Sequence, residues 1–211
     1  MRFIKNYCQY NSLVDNIFFQ ADKLTLGYGN EIVIKELDIA FVSTKNYEII
    51  GKNGAGKTTL LNFISHNFDG NSFDSKYIKK EVDILQLSNT PTLLPNLTLI
   101  ENTIYFTSSL EVDRKIIDTT IEKYNLGSYK AEELKNYSSG MIKRAELAIA
   151  DMKEPDVLCI DEPLNYLDKE GVVHLENLIN ERTDNNKSNI LSSQETSGLL
   201  KNKETVNLDE I

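Results

Sequence analysis

Apolar and polar residues alternate along Phe18-Phe19-Gln20-Ala21-Asp22-Lys23-Leu24-Thr25-Leu26, the period of a half-buried strand. Gly27-Tyr28-Gly29-Asn30 supplies turn residues, and Glu31-Ile32-Val33-Ile34 reads as a second strand. A third apolar segment, Leu37 to Val42, completes a predicted antiparallel β region. Tyr47-Glu48-Ile49-Ile50 then reads as a strand end, and Leu60 to Ile64 opens a helix extending to about His66. Val82 to Leu87 has the profile of a core strand, after which Pro91 and Pro95 break the chain. Thr98, with Glu101 three residues on, forms a capping-box pattern. A helical period follows to about Tyr137, with Gly127 as its expected stop. Val157-Leu158-Cys159-Ile160 is an unbroken apolar run ended by two acids, as in a strand buried on both faces. Val172 to Ile179 reads helical, Thr183 to Asn189 is a polar loop, Asn189 to Ser193 is a core strand, and Thr205 to Leu208 is a short final strand. The pattern predicts an α/β domain over residues 17–211, with a helical lobe of about residues 90–140 inserted into its core. Residues 1–16 lack a clear period and read as a lead-in.

Composition narrows the setting. Apolar residues make up 40% and charged residues 26% of the 211, ordinary for a soluble globular chain. A formal net charge of −9 argues against nucleic acid as a partner, because a phosphate backbone would be repelled. No apolar run approaches the roughly 20 residues that span a bilayer. The first residues also lack the apolar stretch and small-residue cleavage site of a secretory signal. The expectation is a cytoplasmic chain that meets a membrane through a partner. Cys8 and Cys159 make neither a disulfide framework nor a metal set, and Cys159 reads as a small buried hydrophobe. His66 reads as a surface residue.

The run Gly51-Lys52-Asn53-Gly54-Ala55-Gly56-Lys57-Thr58-Thr59 fits G-x-x-x-x-G-K-[ST], with a strand before it and a helix after it. Its glycines let the backbone close around phosphate so that successive N–H groups point inward, reinforced by the helix N-terminus. Lys57 would reach the β- and γ-phosphates and the Thr58 hydroxyl would sit on Mg²⁺. The stretch points to a nucleoside triphosphate. Ligands of open α/β sheets lie beyond the carboxyl ends of the strands, which sets Asp161 and Glu162 facing this loop. Asp161 would hold Mg²⁺, and Glu162 would orient and deprotonate an attacking water.

About twenty residues before those acids stands Tyr137-Ser138-Ser139-Gly140-Met141. On its own this is a capped helix start. The run YSSGMIKRAELAIADMKEPDVLCIDEP, however, resembles the stretch from signature motif to Walker B in ATP-binding-cassette (ABC) ATPases. Ser138 and Gly140 fall on the Ser and second Gly of that family's LSGGQ, while Tyr137, Ser139 and Met141 depart from it. The resemblance covers about Phe18 to Leu208 and implies a P-loop NTPase fold, ATP with Mg²⁺, and a head-to-tail pair of subunits. In such a pair the Ser138 turn serves the nucleotide of the opposite copy. Tyr28 falls where the family stacks an aromatic ring on adenine, although a turn tyrosine packing on the β region is the other reading. Leu164-Asn165-Tyr166-Leu167-Asp168 resembles the D-loop, whose Asp168 would contact the partner's phosphate loop.

Two positions expected at the γ-phosphate depart from the family as well. Asn89 stands where a Gln normally reaches Mg²⁺ and the attacking water, unless a longer loop lets Gln86 take that role. Gln194 replaces the histidine after the core strand; it can donate a hydrogen bond to the γ-phosphate but cannot become cationic. The resemblance therefore implies an ATPase subunit that powers a separately encoded membrane permease, leaning towards export of a peptide or small molecule, with slow hydrolysis at the site it builds. An ATP-dependent binding switch in a heterodimer and a soluble non-transport ABC ATPase are the alternatives. An ordinary P-loop kinase would leave residues 137–141 and 165–168 unexplained.

Overall fold

A computed structural model describes residues 16–73 and 76–210. The predicted lead-in lies outside the described residues except for Asn16, as does Cys8.

Two long strands, β1 (Ile17–Tyr28) and β2 (Glu31–Val42), pair antiparallel with Phe19 opposite Phe41 and Ala21 opposite Ile39. The two segments expected over residues 31–42 are thus a single strand. The polar Lys35-Glu36 interruption is a bulge, with Glu36 at φ 51° facing a matching irregularity at Lys23, φ 52°. Side chains satisfy the N–H groups that the bulge frees: Lys23 N–H donates to Asp38 Oδ1 at 2.7 Å and Glu36 N–H to Thr25 Oγ1 at 3.1 Å. Two short strands absent from the sequence reading, β4 (Asn71–Phe73) and β5 (Lys76–Lys79), line the other edge of β1. They are largely exposed, so no apolar period marks them.

The second sheet is parallel, in the order β6 (Ile84–Leu87), β7 (Val157–Asp161), β8 (Ser188–Ser193), β3 (Asn46–Ile50), β9 (Lys203–Asn207). Its inner strands β7, β8 and β3 are buried on both faces because a separate core lies on each. Val157 and Cys159 face one core with β1, β2 and helix α1 (Lys57–Ile64). Leu158 and Ile160 face the other with α3 (Arg114–Lys123), α4 (Ser139–Lys153) and α5 (Lys169–Asp184). Cys159 is the buried hydrophobe expected of it, its thiol pushed up to about 12 by burial. On the first side Phe41 meets the edge of Tyr47 at 4.7 Å, and the Tyr47 hydroxyl accepts from Val42 N–H at 2.8 Å. That contact ties the antiparallel sheet to the strand feeding the phosphate loop.

The capping box predicted at Thr98 is present: Thr98 Oγ1 accepts from Glu101 N–H at 3.2 Å and Thr98 N–H donates to Glu101 Oε2 at 2.8 Å. It starts α2 (Leu99–Thr107), but the helical pattern beyond is broken into α2, α3 and short 3₁₀ turns. α3 stops before Gly127, because Asn125 takes the left-handed conformation at φ 55°. Buried Asn102 bonds both the N–H and the C=O of Leu94, pinning the Pro91–Pro95 segment onto α2. His66 is exposed, and α1 ends two residues before it.

Candidate functional site

The loop between β3 and α1 is shaped by its glycines. Gly54 and Gly56 sit at φ 85° and φ 93°, where a side chain is strained. At Gly56 space is also missing, since a Cβ would lie 2.7 Å from Ile34 Cγ1 on β2. The antiparallel sheet therefore presses against the loop from behind. From the other side, Lys52 N–H donates to Asp209 Oδ1 at 3.0 Å, so the turn after β9 braces the loop as well.

Lys57 opens α1 and is buried despite its charge. Its ammonium donates back to Gly51 O at 2.7 Å and Lys52 O at 3.1 Å and lies 3.6 Å from Glu162 Oε1. A buried cation with carbonyl partners and one carboxylate neighbour remains available to an anion entering the loop. Thr58 Oγ1 donates to Asp161 Oδ2 at 2.7 Å across 103 residues of sequence. Asp161, at the end of β7, is itself buried and accepts from Ser192 Oγ through its other oxygen. Glu162 follows at φ 49°, a left-handed turn that its N–H secures by donating to Ser192 O at 3.0 Å. One buried serine thus holds both acids. Sequence reasoning missed Ser192, whose only signal is a polar pair ending an apolar strand.

Lys57, Thr58, Asp161 and Glu162 converge on a cavity of about 650 Å³ that Asn53, Gly54, Gly56, Thr59, Asn89 and Gln194 also line. The volume suits a nucleotide. The hydroxyl of Thr58 and the carboxylate of Asp161 are the hard oxygen donors that Mg²⁺ takes beside phosphate. Asn89, after β6, reaches the cavity. Gln86 does not: its amide donates to Asn62 Oδ1 at 2.7 Å and accepts from Asn67 at 3.1 Å, which turns it onto α1 and its C-terminal turn. Asn165, read from the sequence only as part of the D-loop, and Val33, given no site role there, also line the cavity.

Other predicted positions lie elsewhere. Tyr28 is 41% exposed and meets Phe68 edge-on at 5.4 Å rather than lining the cavity. Ser138 caps α4, accepting from Met141 N–H at 3.2 Å. Asp168 caps α5, accepting from Gly171 N–H at 2.7 Å, and a Cβ on Gly140 would lie 3.3 Å from its Oδ2. Ser138, Gly140 and Asp168 thereby form a second cluster, built where the starts of α4 and α5 meet. Arg144 joins it, donating to Glu170 at 2.8 Å with Asp168 at 3.8 Å. Among the described residues, no helix is long and apolar enough to cross a membrane.

The sequence profile of the family described as ABC transporter matches residues 34–165, more than half of the chain. The chain is similar to the lantibiotic transport ATP-binding protein SrtF of Streptococcus pyogenes, 28% identical over 169 residues covering 76% of this chain and 72% of that one. It is also similar to the aliphatic sulfonates import ATP-binding protein SsuB of Zymomonas mobilis, 30% identical over 171 residues covering 79% and 70% of the two chains. Among solved structures, the ATP binding subunit of an ABC transporter matches with a TM-score of 0.72 at 21% identity, over 83% of this chain and 79% of that one. The glycine loop, the acid-ended strand and the Ser138 turn thus occur within a chain that belongs to the ABC transporter family, as one of its ATP-binding subunits.

Proposed function

We propose that this subunit binds ATP with Mg²⁺ in the cavity beside Lys57 and uses its hydrolysis to drive a separately encoded permease. The observation that carries the reading is the convergence of Lys57, Thr58, Asp161 and Glu162 on one cavity of about 650 Å³. Inward N–H groups of the loop and the Lys57 ammonium bind and orient the triphosphate. Glu162 accepts the proton of an attacking water, and Gln194 donates a hydrogen bond at the γ-phosphate. Thr58 and Asp161 would hold Mg²⁺, which would supply neutralisation of the triphosphate's charge. Tyr28 stacks on adenine by leaving its edge contact with Phe68.

The same proposal has two subunits meeting head to tail, with Ser138 and Gly140 of one copy against the nucleotide of the other, and Asp168 against the facing phosphate loop. The adjacency of these residues at the starts of α4 and α5 supports that reading. The pair sits on the inner face of the cell membrane through its permease, with the helical lobe and the segment around Asn89 as the receiving groove. The cargo in this reading is a peptide or small molecule moved outward; the similarity to a lantibiotic transport protein supports the class of cargo. Gln194 and Asn89 in the cavity favour a second reading, in which closure on ATP does the work and hydrolysis is slow.

The test is ATP turnover by the purified subunit alone and with the permease from its source membranes. Stimulation by the permease supports the transporter reading, and turnover indifferent to it removes that reading. Glu162→Gln should lower turnover by about a hundredfold or more while retaining ATP and stabilising a dimer. Undiminished turnover would show that another group takes the proton.

A further inference from the structure

Strand β3, between β8 and β9, carries a carboxylate where the residues on either side of it are apolar. Tyr47 and Ile49 point into the core beneath β1 and β2. Glu48, between them, points to the opposite face and is 0% exposed. Its Oε1 accepts from both the N–H and the Oγ of Ser197, each at 2.6 Å. Its other oxygen pairs with the Lys203 ammonium at the start of β9. Burial would raise this carboxyl, but the bonds from Lys203 and Ser197 outweigh it and hold it below the ordinary carboxylate range.

Ser197 belongs to the segment that leaves β8, whose first residue is Gln194, and Lys203 opens the strand that follows it. Gln194 lies three positions before Ser197 and is exposed to the cavity. The segment from Gln194 to Asn202 has no helix or strand of its own, only bends. Ser193 Oγ bonds Glu195 O at 2.5 Å, and Ser197 Oγ accepts from Leu199 N–H at 3.3 Å. Leu199 and Leu200 bury the segment's far end in the core, and Glu48 is the side chain that holds its middle at Ser197. Glu48 stands three residues before Gly51 on the strand that ends in the phosphate loop. A buried ion pair adds little net stability over apolar residues of the same volume. Here the contacts join β3 to Ser197 and to the start of β9.

We propose that Glu48 is a positioning residue for Gln194: by anchoring Ser197 it sets the distance between the Gln194 amide and the triphosphate held by Lys57. This rests on the reading of Gln194 as the γ-phosphate donor. A displacement of about 1 Å at such a donor costs on the order of a hundredfold in rate. ATP affinity, set by the loop and Lys57, is untouched.

The experiment uses a Lys203→Met background, which leaves no buried cation without its partner. There Glu48→Gln keeps an acceptor for Ser197, and Glu48→Leu does not. Single-turnover ATP hydrolysis should stay near the wild-type rate for the first and fall at least about tenfold for the second, with ATP affinity within about twofold in both. Adding Gln194→Ala should abolish the difference between them, as expected if Glu48 acts through Gln194. Equal rates for the two variants, or a difference that persists in full without Gln194, overturns the proposal. A Gln194→Ala protein as fast as wild type overturns it differently, by removing the role of Gln194 itself. That failure is told apart from a slow Gln194→Ala protein in which the Glu48 variants are equally fast.

Discussion

The Lys143 ammonium donates to the Ser88 carbonyl at 2.7 Å, joining α4 to the turn after β6 across 55 residues of sequence. One helical turn on, buried Glu146 accepts from Thr92 N–H at 3.1 Å and pairs with Lys143 at 2.9 Å. The two side chains grip both ends of the turn that presents Asn89 to the cavity. Glu146→Ala leaves the Thr92 N–H and the Lys143 ammonium short of a partner, and is expected to lower unfolding stability by about 2–4 kcal/mol. Glu146→Gln keeps an acceptor for Thr92 and should lose less than half of that. Urea unfolding of the two variants checks the order.

Gly56→Ala should fail at the nucleotide site before it fails as a fold. The left-handed backbone costs a β-carbon about 1–3 kcal/mol, and contact with Ile34 at 2.7 Å forces the loop off β2. The expected outcome is ATP binding weakened at least about tenfold in an equilibrium titration, with the protein still folded by circular dichroism. Full affinity would mean that β2 does not shape the loop.

A cation at position 194 should accelerate hydrolysis. Gln194 lines the cavity with an amide that donates without charge. In Gln194→His an imidazolium adds charge stabilisation at the γ-phosphate, worth about tenfold or more in single-turnover rate. The gain should shrink as pH rises through the ordinary histidine range near 6.5. A rate equal to or below wild type at every pH contradicts the slow-hydrolysis reading.

Glu48 also predicts an acid limit to stability. Its carboxyl is held below the ordinary value of 4.5, so the folded state favours the charged form. The stability this provides is complete above pH 4.5 and is lost as pH falls from there through the lowered folded value. The urea midpoints of wild type and Glu48→Gln should differ by a constant amount from pH 8 to pH 5. The gap should narrow below that. A gap that is constant down to acid unfolding would show that the carboxylate gains nothing from Lys203 and Ser197.

Features that depend on neighbours in sequence were legible before the structure. The phosphate loop, the Thr98 cap and the acid-ended strand β7 each rest on a fixed spacing, and each stands where expected. Features that depend on partners far along the chain were not. The bulge at Glu36 disguised one strand as two, because the side chains that satisfy it, Thr25 and Asp38, cannot be assigned to it from spacing alone. β4 and β5 carry no apolar period, because pairing with the edge of β1 orders both and contacts of Tyr77 and Lys79 with Phe63 add to it in β5. Glu48 read as a strand residue like its neighbours, since Ser197 and Lys203 lie about 150 positions away. Spacing alone leaves Asn89 and Gln86 as alternatives; Asn89 lines the cavity, whereas Gln86 is turned onto Asn62, a partner 24 residues away.

The parallel sheet divides the apolar interior into two separate bodies, one under β1, β2 and α1, the other under α3, α4 and α5. Each side packs as its own cluster, with the strands of the sheet between them. The cavity opens at the rim of that sheet and draws Thr58 from the first side and Asn89, gripped by α4, from the second. Nucleotide occupancy then acts as a rivet through both halves, and hydrogen exchange in α1 and in α4 should slow together on its arrival.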